Sequence, residues 1–313
     1  MTTTMTASGE LRRSELAAFL RSRRERISPE DVGLPPGLRR RTAGLRREEV
    51  AQLAGVGVTW YTWLEQGRRI NASVQVLDAV ARTLRLDQAE HQHLYRLADV
   101  PEASAGGVPA DCPSITGDIQ GILDSLSPLP AAVLSERFDV LAWNDAYTAV
   151  WPGVVGSRPG DRNVLWLVFR YPDCCNPYVN RDEQLSTLVA QLRGAYGRHV
   201  GEPAWTGFVQ RLQAASPVFS RLWAEQHVAS AVTYLKIFRH PAHERMVMTT
   251  TSLGVLSIPG TRMVVYTPID DVCRDAIASL LAGDGADQHF SCWPAHNMAP
   301  GQPPAATAPA LLA

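Results

Sequence analysis

Residues 46–67 carry two short segments with helical apolar spacing on either side of a glycine turn, and they constrain the fold more than any other stretch. The first segment is expected to turn three apolar side chains inward, Val50, Leu53 and Ala54. The turn is Gly55-Val56-Gly57, and the second segment stops at Gly67, because glycine commonly ends a helix. We therefore predict a pair of short helices joined by a tight turn, over about 46–53 and 58–66.

The residues of this pair also follow a known order. The string EEVAQLAGVGVTWYTWLEQGR resembles the helix-turn-helix of the Xre/Cro-repressor family, which has Leu-Ala in its first helix, Gly-Val before the turn and Leu-Glu-x-Gly at the end of the second helix. The matching residues are Leu53-Ala54, Gly55-Val56 and Leu64-Glu65-Gln66-Gly67. Gly57 stands where the family usually has Ser or Thr, and glycine caps a helix only slightly less well. The resemblance implies that the second helix enters the major groove of double-stranded DNA.

The side chains expected to contact DNA form two groups. The first group lies on the second helix and comprises Val58, Thr59, Trp60, Thr62 and Trp63, whereas Tyr61 and Leu64 are expected in the core. The second group consists of arginines that flank the motif and are placed for phosphates, namely Arg39, Arg40, Arg41, Arg46, Arg47, Arg68 and Arg69. Residues 1–100 have a net charge of +4 and residues 101–313 one of −5, so an acidic partner is expected for the first part only.

Composition divides the chain into five stretches. Residues 1–9 and the Pro/Ala/Gly-rich tail 283–313 lack apolar periodicity and are predicted to be disordered. Residues 10–98 are predicted to form an all-α domain of five helices, and residues 99–118, rich in Pro, Gly, Ala and Ser, a linker. Residues 119–282 are predicted to form an α+β domain whose three C-terminal strands make an antiparallel sheet with one buried face.

A second resemblance covers the flanks of the motif and this α+β domain. The motif is preceded by SPEDVGLPPGLRRRTAGLRREEV, and the later LKIFRHP and VVYTP segments follow an order similar to that of the MmyB-like regulators of actinobacteria. The segment Trp-Asn-Asp-Ala at 143–146 resembles the start of a PAS domain. The resemblance implies a PAS-like fold that binds a small molecule, with a fatty acid as the implied ligand. Where the family usually has Gly and acidic residues, this chain has HERMVMTTTSLG, so the pocket wall there is expected to differ.

A pocket for such a ligand needs apolar walls and one or two polar groups that fix a head group. The predicted wall residues are Trp143, Tyr147, Trp151, Leu165, Phe169, Trp223 and Phe238. The predicted head-group residues are Asn144, Arg170, His227, Lys236 and His240. Structural roles stay open as alternatives, because Asn144 can simply cap a helix, the aromatic residues can be plain core, and Arg170 can be a solvated residue at a helix C-terminus.

Several other classes of protein are disfavoured by the same sequence. No apolar run reaches the length of about 18 residues that crosses a membrane, and MTTTMTASGELRR lacks the apolar core of a secretory signal. The five cysteines show no CxxC spacing, and the histidines of HPAHE lie three apart, so neither disulfides nor a metal site are expected. Without a G-x-S-x-G, P-loop or dinucleotide-binding fingerprint, we predict a cytoplasmic non-enzyme with no catalytic residues, metal or cofactor.

Together these features predict a sequence-specific DNA-binding transcription regulator whose second domain binds a small apolar ligand that modulates DNA binding. Regulators of this type act as dimers on paired half-sites, so a homodimer is expected by analogy. Two alternatives stay open: a constitutive DNA-binding protein whose second domain serves only dimerisation or protein interaction, and an enzyme fused to a DNA-binding domain.

Overall fold

The computed structural model describes residues 2–35, 44–98, 115–173, 176–229 and 235–284. Its N-terminal part is helical, as predicted, and consists of α1 (Thr2–Arg26), α2 (Arg47–Ala54), α3 (Val58–Glu65), α4 (Val74–Thr83) and α5 (Gln88–Leu97). The helices bury a shared apolar core that includes Phe19, Leu20, Val50, Tyr61, Leu77 and Leu94. Each such side chain contributes about 1.5–3 kcal/mol on burial, so tertiary packing is the main source of stability for these short helices.

Short polar signals in the sequence set the ends of these helices. The Ser73 hydroxyl accepts a hydrogen bond from the Val76 amide at 3.4 Å and caps α4. At the start of α5, Asp87 accepts from the Glu90 amide at 2.9 Å, and the Glu90 carboxylate accepts from the Asp87 amide at 3.2 Å. Gly55 ends α2 at a φ of 67°, a left-handed conformation that favours glycine. These caps explain why the helix boundaries could be read from the sequence.

Three details of this part differ from the sequence expectation. The helix α1 starts at Thr2 rather than near residue 10, because extending an existing helix adds a hydrogen bond for each residue ordered. Leu53 is 40% exposed rather than inward, since it lies about 110° around α2 from the buried Val50–Ala51 pair. The sequence Ser28-Pro29-Glu30-Asp31 has the residue types of a helix N-terminus, but only a short 3₁₀ turn follows it, which ends at Gly33 with a φ of 75°.

The second part is α+β, as predicted. Its helices are α6 (Gly117–Ser125), α7 (Asp145–Val150), α8 (Pro152–Val155), α9 (Val164–Arg170), α10 (Arg181–Tyr196), α11 (Pro203–Ala215), α12 (Pro217–Ala224) and α13 (Asp271–Leu281). Its strands are β1 (Ala131–Ser135), β2 (Val140–Trp143), β3 (Leu235–Phe238), β4 (Met246–Gly254) and β5 (Thr261–Pro268). The sequence prediction ends the domain with strands and misses α13, which the Asp270 side chain caps. No helix within the described ranges has both the length and the apolar character to cross a membrane.

The five strands form one antiparallel sheet in the order β2-β1-β5-β4-β3. Central strand β5 pairs with β1 through Val133 and Met263, and with β4 through Thr250 and Tyr266. Because side chains alternate between the faces of a sheet, the residues next to Tyr266 point to the opposite side. That opposite side packs against α6 in an apolar core that contains Ile119, Leu123, Ala131, Val133, Met263 and Val265.

The chain divides into two compact units that do not follow the predicted domain boundary. Unit 1 comprises Met1–Ala105, Val189–Gln210 and Arg221–Ser230, and unit 2 comprises Gly106–Leu188, Arg211–Ser220 and Ala231–Ala313. The sequence predicts separate domains at 10–98 and 119–282, but parts of α10, α11 and α12 belong to unit 1. The physical reason is a set of buried polar contacts that join those segments to α1 and α5. Helical and strand periodicity in the sequence does not predict contacts between such distant residues.

Candidate functional sites

The helix α3 exposes three of the five residues that are expected to contact DNA. Val58 and Trp63 are 49% and 41% exposed, and Thr59 is also exposed, whereas Trp60 and Thr62 are partly buried. Tyr61 and Leu64 point into the core with exposures of 0% and 3%, which agrees with their predicted inward placement.

A buried ionic cluster fastens α3 to the two helices before it. Glu65, at the end of α3, is fully buried, and its carboxylate accepts hydrogen bonds from Arg24 Nε at 2.7 Å and Arg24 Nη2 at 2.8 Å. The same carboxylate accepts from Arg47 Nε at 3.0 Å. Burial alone would raise the pKa of Glu65, but the hydrogen bonds and charges of the two arginines outweigh it and lower the pKa. Sequence reasoning did not predict this role for Glu65, although the acid of the Leu-Glu-x-Gly pattern was a visible signal.

The flanking arginines surround the exposed face of α3 only in part. The side chain of Arg46 is 48% exposed and forms an ion pair with Glu48 at 3.3 Å. The side chain of Arg47 is 40% exposed, although its Nε is bonded to the buried carboxylate of Glu65. Arg68 and Arg69 are exposed after α3, and the guanidinium carbon of Arg68 lies 5.8 Å from the centroid of the Trp63 ring. The predicted contacts Arg39, Arg40 and Arg41 lie outside the described residues.

In unit 2, five aromatic residues form a continuous cluster that we call the aromatic wall: Tyr147, Trp151, Tyr178, Phe238 and Tyr266. The centroid of the Trp151 ring lies 4.7 Å from the ring centroid of Tyr147, 5.1 Å from that of Phe238 and 4.5 Å from that of Tyr266. Tyr178 packs on Phe238 at 5.1 Å. The sequence predicts Tyr147, Trp151 and Phe238, and the structure brings these three together and adds Tyr178 and Tyr266, which the sequence prediction lacks.

Cationic side chains accompany the aromatic wall. The Lys236 ammonium lies 5.4 Å from the centroid of the Tyr178 ring. Burial, and secondarily the charge of Arg262, lower the pKa of Lys236 to about 8. Lys236 pairs with Met248 on β4, Met248 pairs with Pro268 on β5, and Tyr266 and Arg262 alternate with their neighbours along β5. All three therefore point to one face of the sheet, and Arg262 was not among the predicted head-group residues.

The tyrosines of the aromatic wall keep their hydroxyl groups protonated. Burial raises the pKa of Tyr147, Tyr178 and Tyr266 well above the usual value. A phenol that stays protonated can donate a hydrogen bond to an anion. The aromatic wall therefore combines closely packed apolar rings with protonated hydroxyl groups and lies beside one amine.

Most of the other predicted ligand residues have structural roles or lie elsewhere. Asn144 is 2% exposed and caps α7: its Oδ1 accepts from the amides of Tyr147 and Ala131, both at 3.0 Å, and its Nδ2 donates to two backbone carbonyls. These bonds occupy both ends of the amide, so the predicted head-group role of Asn144 is not supported. Trp223 and His227 belong to unit 1, where the Trp223 ring packs on Tyr196 at 5.4 Å and His227 lies 3.4 Å from Glu225.

The remaining predicted residues are spread over unit 2. Leu165 is fully buried, and Phe169 packs edge-on against Phe219 at 5.2 Å. The guanidinium carbons of Arg162 and Arg170 lie 5.1 Å and 5.0 Å from the rings of Trp143 and Trp166, respectively. His240 Nδ1 accepts from the Ala242 amide at 3.1 Å, and burial lowers the pKa of His240 to about 4. These contacts are with residues outside the aromatic wall.

The described residues also bear on the alternative of an enzyme or metal protein. In the described ranges, no three His, Cys, Asp or Glu side chains come close enough to hold a metal ion together. Cys273 is a buried free thiol, and burial raises its pKa, which disfavours the reactive thiolate.

A helical unit with an exposed recognition helix, followed by an α+β unit with an aromatic, cation-bearing face, defines the class of ligand-responsive transcription regulators. Comparison with protein families agrees with this class. Residues 15–94 match a helix-turn-helix domain, and residues 115–280 match the MmyB-like transcription regulator ligand binding domain. The second match covers more than half of the chain, so the chain belongs to the family of MmyB-like transcription regulators. No curated relative matches the chain.

Proposed function

We propose that α3 reads a specific site in the major groove, as in Xre-type regulators, and that a fatty acid or similar amphipathic acid bound in unit 2 changes the affinity for DNA. The DNA part is supported by the exposed Val58, Thr59 and Trp63 beside exposed Arg68 and Arg69. A thymine methyl or a base edge is the natural partner of the first group, and phosphates are the partners of the arginines.

Lys236 is the single observation that carries the ligand part. Its amine faces the ring of Tyr178, and in the described part of the chain it forms no ion pair and no acidic group contributes to its pKa. A cation surrounded by protein is costly unless an anion pairs with it, so this environment favours an anionic ligand. The carboxylate of a fatty acid meets this need, and Arg262 on the same face adds a second positive charge.

The aromatic wall supports an apolar remainder of the ligand. Five rings in mutual contact form one apolar cluster, and the ring that Lys236 faces carries the protonated hydroxyl of Tyr178, a donor for a carboxylate. A neutral lipid would use the rings but leave the ammonium unpaired. We therefore expect the acid to bind more tightly than the alcohol of the same chain length.

Lys236 is the only lysine of the chain, so its titration can be followed by a single resonance. The chain is labelled with ¹³C-lysine, and the Cε resonance is titrated without ligand, with dodecanoate and with 1-dodecanol. Dodecanoate is expected to raise the pKa of Lys236 from about 8 to above 9, because the carboxylate favours the ammonium form. The alcohol is expected to leave the titration unchanged. Dodecanoate that fails to bind, or binds without moving the pKa, would contradict the ligand proposal and favour a constitutive DNA-binding protein.

We also propose that the regulator acts in the cytoplasm as a homodimer on two half-sites one turn of DNA apart, about 34–36 Å. The support is the length of α3, whose eight residues can cover only a short half-site. Analytical ultracentrifugation of the protein with a DNA duplex is expected to give two chains per duplex. One chain per duplex at saturation would refute the dimer.

A further inference from the structure

The segments 189–210 and 221–230 lie within the match to the ligand-binding family, yet they pack as part of unit 1 with α1 and α5. They contain the C-terminal half of α10, the first residues of α11 and the end of α12. Buried polar groups join these segments to α1 and α5. Buried polar groups need specific hydrogen-bond partners, unlike apolar side chains that only fill space.

Arg193 is the centre of these contacts. Its side chain is 1% exposed, and Nη1 donates to Glu15 Oε2 on α1 at 3.2 Å and to Gln226 Oε1 at 2.8 Å. Nη2 donates to the Trp223 carbonyl, and the guanidinium carbon lies 3.7 Å from the centroid of the Trp223 ring. Burial lowers the pKa of Arg193 to about 10, and the nearby Glu15 opposes that shift. One buried cation therefore joins α1, α10 and the end of α12.

A second buried arginine strengthens the same junction from the other side. Arg23 on α1 is 2% exposed, and its Nη2 donates to the backbone carbonyl of Gln226. Its Nε lies 3.5 Å from Glu90 on α5. Gln226 thus accepts hydrogen bonds from Arg23 with its backbone and from Arg193 with its side chain, at a left-handed φ of 58°. Such a conformation in a residue other than glycine persists only where its surroundings hold it.

The backbone of α10 also comes close to α5. Arg96 Nη1 donates to the Gly194 carbonyl at 3.0 Å. A Cβ atom on Gly197 would lie 2.7 Å from His93 Nδ1, so only glycine fits at this point of closest approach. Together with the bonds of Arg193 and Arg23, these contacts hold this segment against α1 and α5.

The opposite side of α1 holds the recognition helix. Arg24 on α1 binds the buried Glu65 of α3, as described above. A Cβ on Gly67, which follows α3, would lie 2.8 Å from the Arg13 carbonyl of α1. α1 is therefore bonded on one side to α3 and on the other to the segments 189–210 and 221–230.

We propose that Arg193 is a positioning residue for DNA binding: by bonding Glu15 it fixes α1, and through α1 it sets the orientation of α3 and hence the affinity for DNA. Arg193 touches neither DNA nor ligand in this account. The inference rests on the DNA-binding part of the proposed function and does not require that the ligand be a fatty acid.

The test compares Glu15→Gln with Glu10→Gln, which removes the same charge from an exposed position on the same helix. Each full-length variant is titrated with a duplex of about 30 base pairs selected from random sequence by the wild-type chain. Stoichiometric titration at high concentration measures the active fraction, so partial unfolding is separated from lower affinity. Hydrogen exchange of α1 and of residues 189–196 is measured in parallel, and Glu15→Asp tests rescue by a conservative change.

Glu15→Gln is expected to raise the dissociation constant for DNA at least threefold, while the active fraction and the salt slope stay unchanged. The reason is that α3 is less well preorganised, whereas its contacts with DNA remain. Exchange should speed up in both α1 and residues 189–196, and Glu15→Asp should recover part of the affinity. Glu15→Gln with the affinity of Glu10→Gln would overturn the inference. So would faster exchange on only one side of the junction. A wild-type chain that selects no duplex would overturn this inference together with the DNA-binding proposal, whereas a failed dodecanoate titration would affect only the ligand proposal.

Discussion

Replacing Lys236 by methionine tests whether Lys236 belongs to a ligand site or is an ordinary core residue. The pKa of Lys236 is about 8 in the folded chain against 10.5 for a free lysine, so keeping it charged at pH 7 costs about 3 kcal/mol at most. Because Lys236 as a whole residue is only partly buried, a smaller value of about 1–3 kcal/mol is expected. Methionine keeps the length of the apolar stem without the charge. The ligand-free variant should therefore be more stable than the wild type at pH 7.

The pH dependence of the free energy of unfolding tests independently whether the charged Lys236 destabilises the folded chain. The folded pKa lies below the unfolded one, so the unfolded chain holds more protons between these values, and wild-type stability rises with pH across that window. Between pH 7 and pH 9 this group adds about 1.3 kcal/mol to the free energy of unfolding of the wild type, and nothing to that of Lys236→Met.

The assay is urea unfolding of both proteins at pH 7 and pH 9, each with and without dodecanoate. Without ligand, the stability difference between the two proteins should shrink as the pH rises. With dodecanoate at pH 7, the wild type should gain more stability than the variant, because only the wild type pairs with the carboxylate. A variant that is less stable than the wild type at pH 7, or that gains as much from dodecanoate, would refute the assignment of Lys236 to an anion site.

Two further predictions concern unit 1. Thr59→Ala should reduce the preference for the selected duplex over random DNA by about 1–3 kcal/mol. Arg69→Ala should weaken binding to both duplexes alike and reduce the salt slope by about one. Anisotropy titrations at several salt concentrations measure both effects, and equal effects of the two changes would contradict the assigned roles. Gly197→Ala should lower the free energy of unfolding by about 1–3 kcal/mol, because its Cβ would overlap the His93 ring, while Gly207→Ala on α11, where a Cβ meets nothing within 4 Å, should be neutral or slightly stabilising in the same unfolding assay. Equal stability of these two alanine variants would show that the approach at Gly197 is not tight.

The sequence predicts local structure well where a single residue decides it. Gly55, part of the predicted turn, supplies the left-handed conformation between α2 and α3, and Ser73 and Asp87 are of residue types that favour the N-cap positions they occupy. The inward Tyr61 and the exposed Trp63 follow from helical periodicity together with the family pattern. These are short-range effects, and one sequence contains all the information that they need.

Contacts between distant residues are where the sequence prediction falls short. Arg193 lies 178 positions from its partner Glu15, and no periodicity signals that pairing. Arg262 joins Lys236 on one face only through the register of three strands, which a single sequence does not fix. For Asn144 the structure fits the alternative of a helix cap, because its side-chain amide is hydrogen-bonded to the backbone of its own fold.

The most direct test of the central claim is the DNA affinity of one preparation measured twice. The full-length chain is stripped of lipid, and its dissociation constant for the selected duplex is determined at fixed salt without ligand and with saturating dodecanoate. A ligand-responsive regulator predicts a change of at least fivefold, with the affinity for dodecanoate changed by the same factor when DNA is bound. Equal DNA affinity in both conditions, with dodecanoate shown to be bound, would contradict the account, because a ligand that binds both states equally shifts neither.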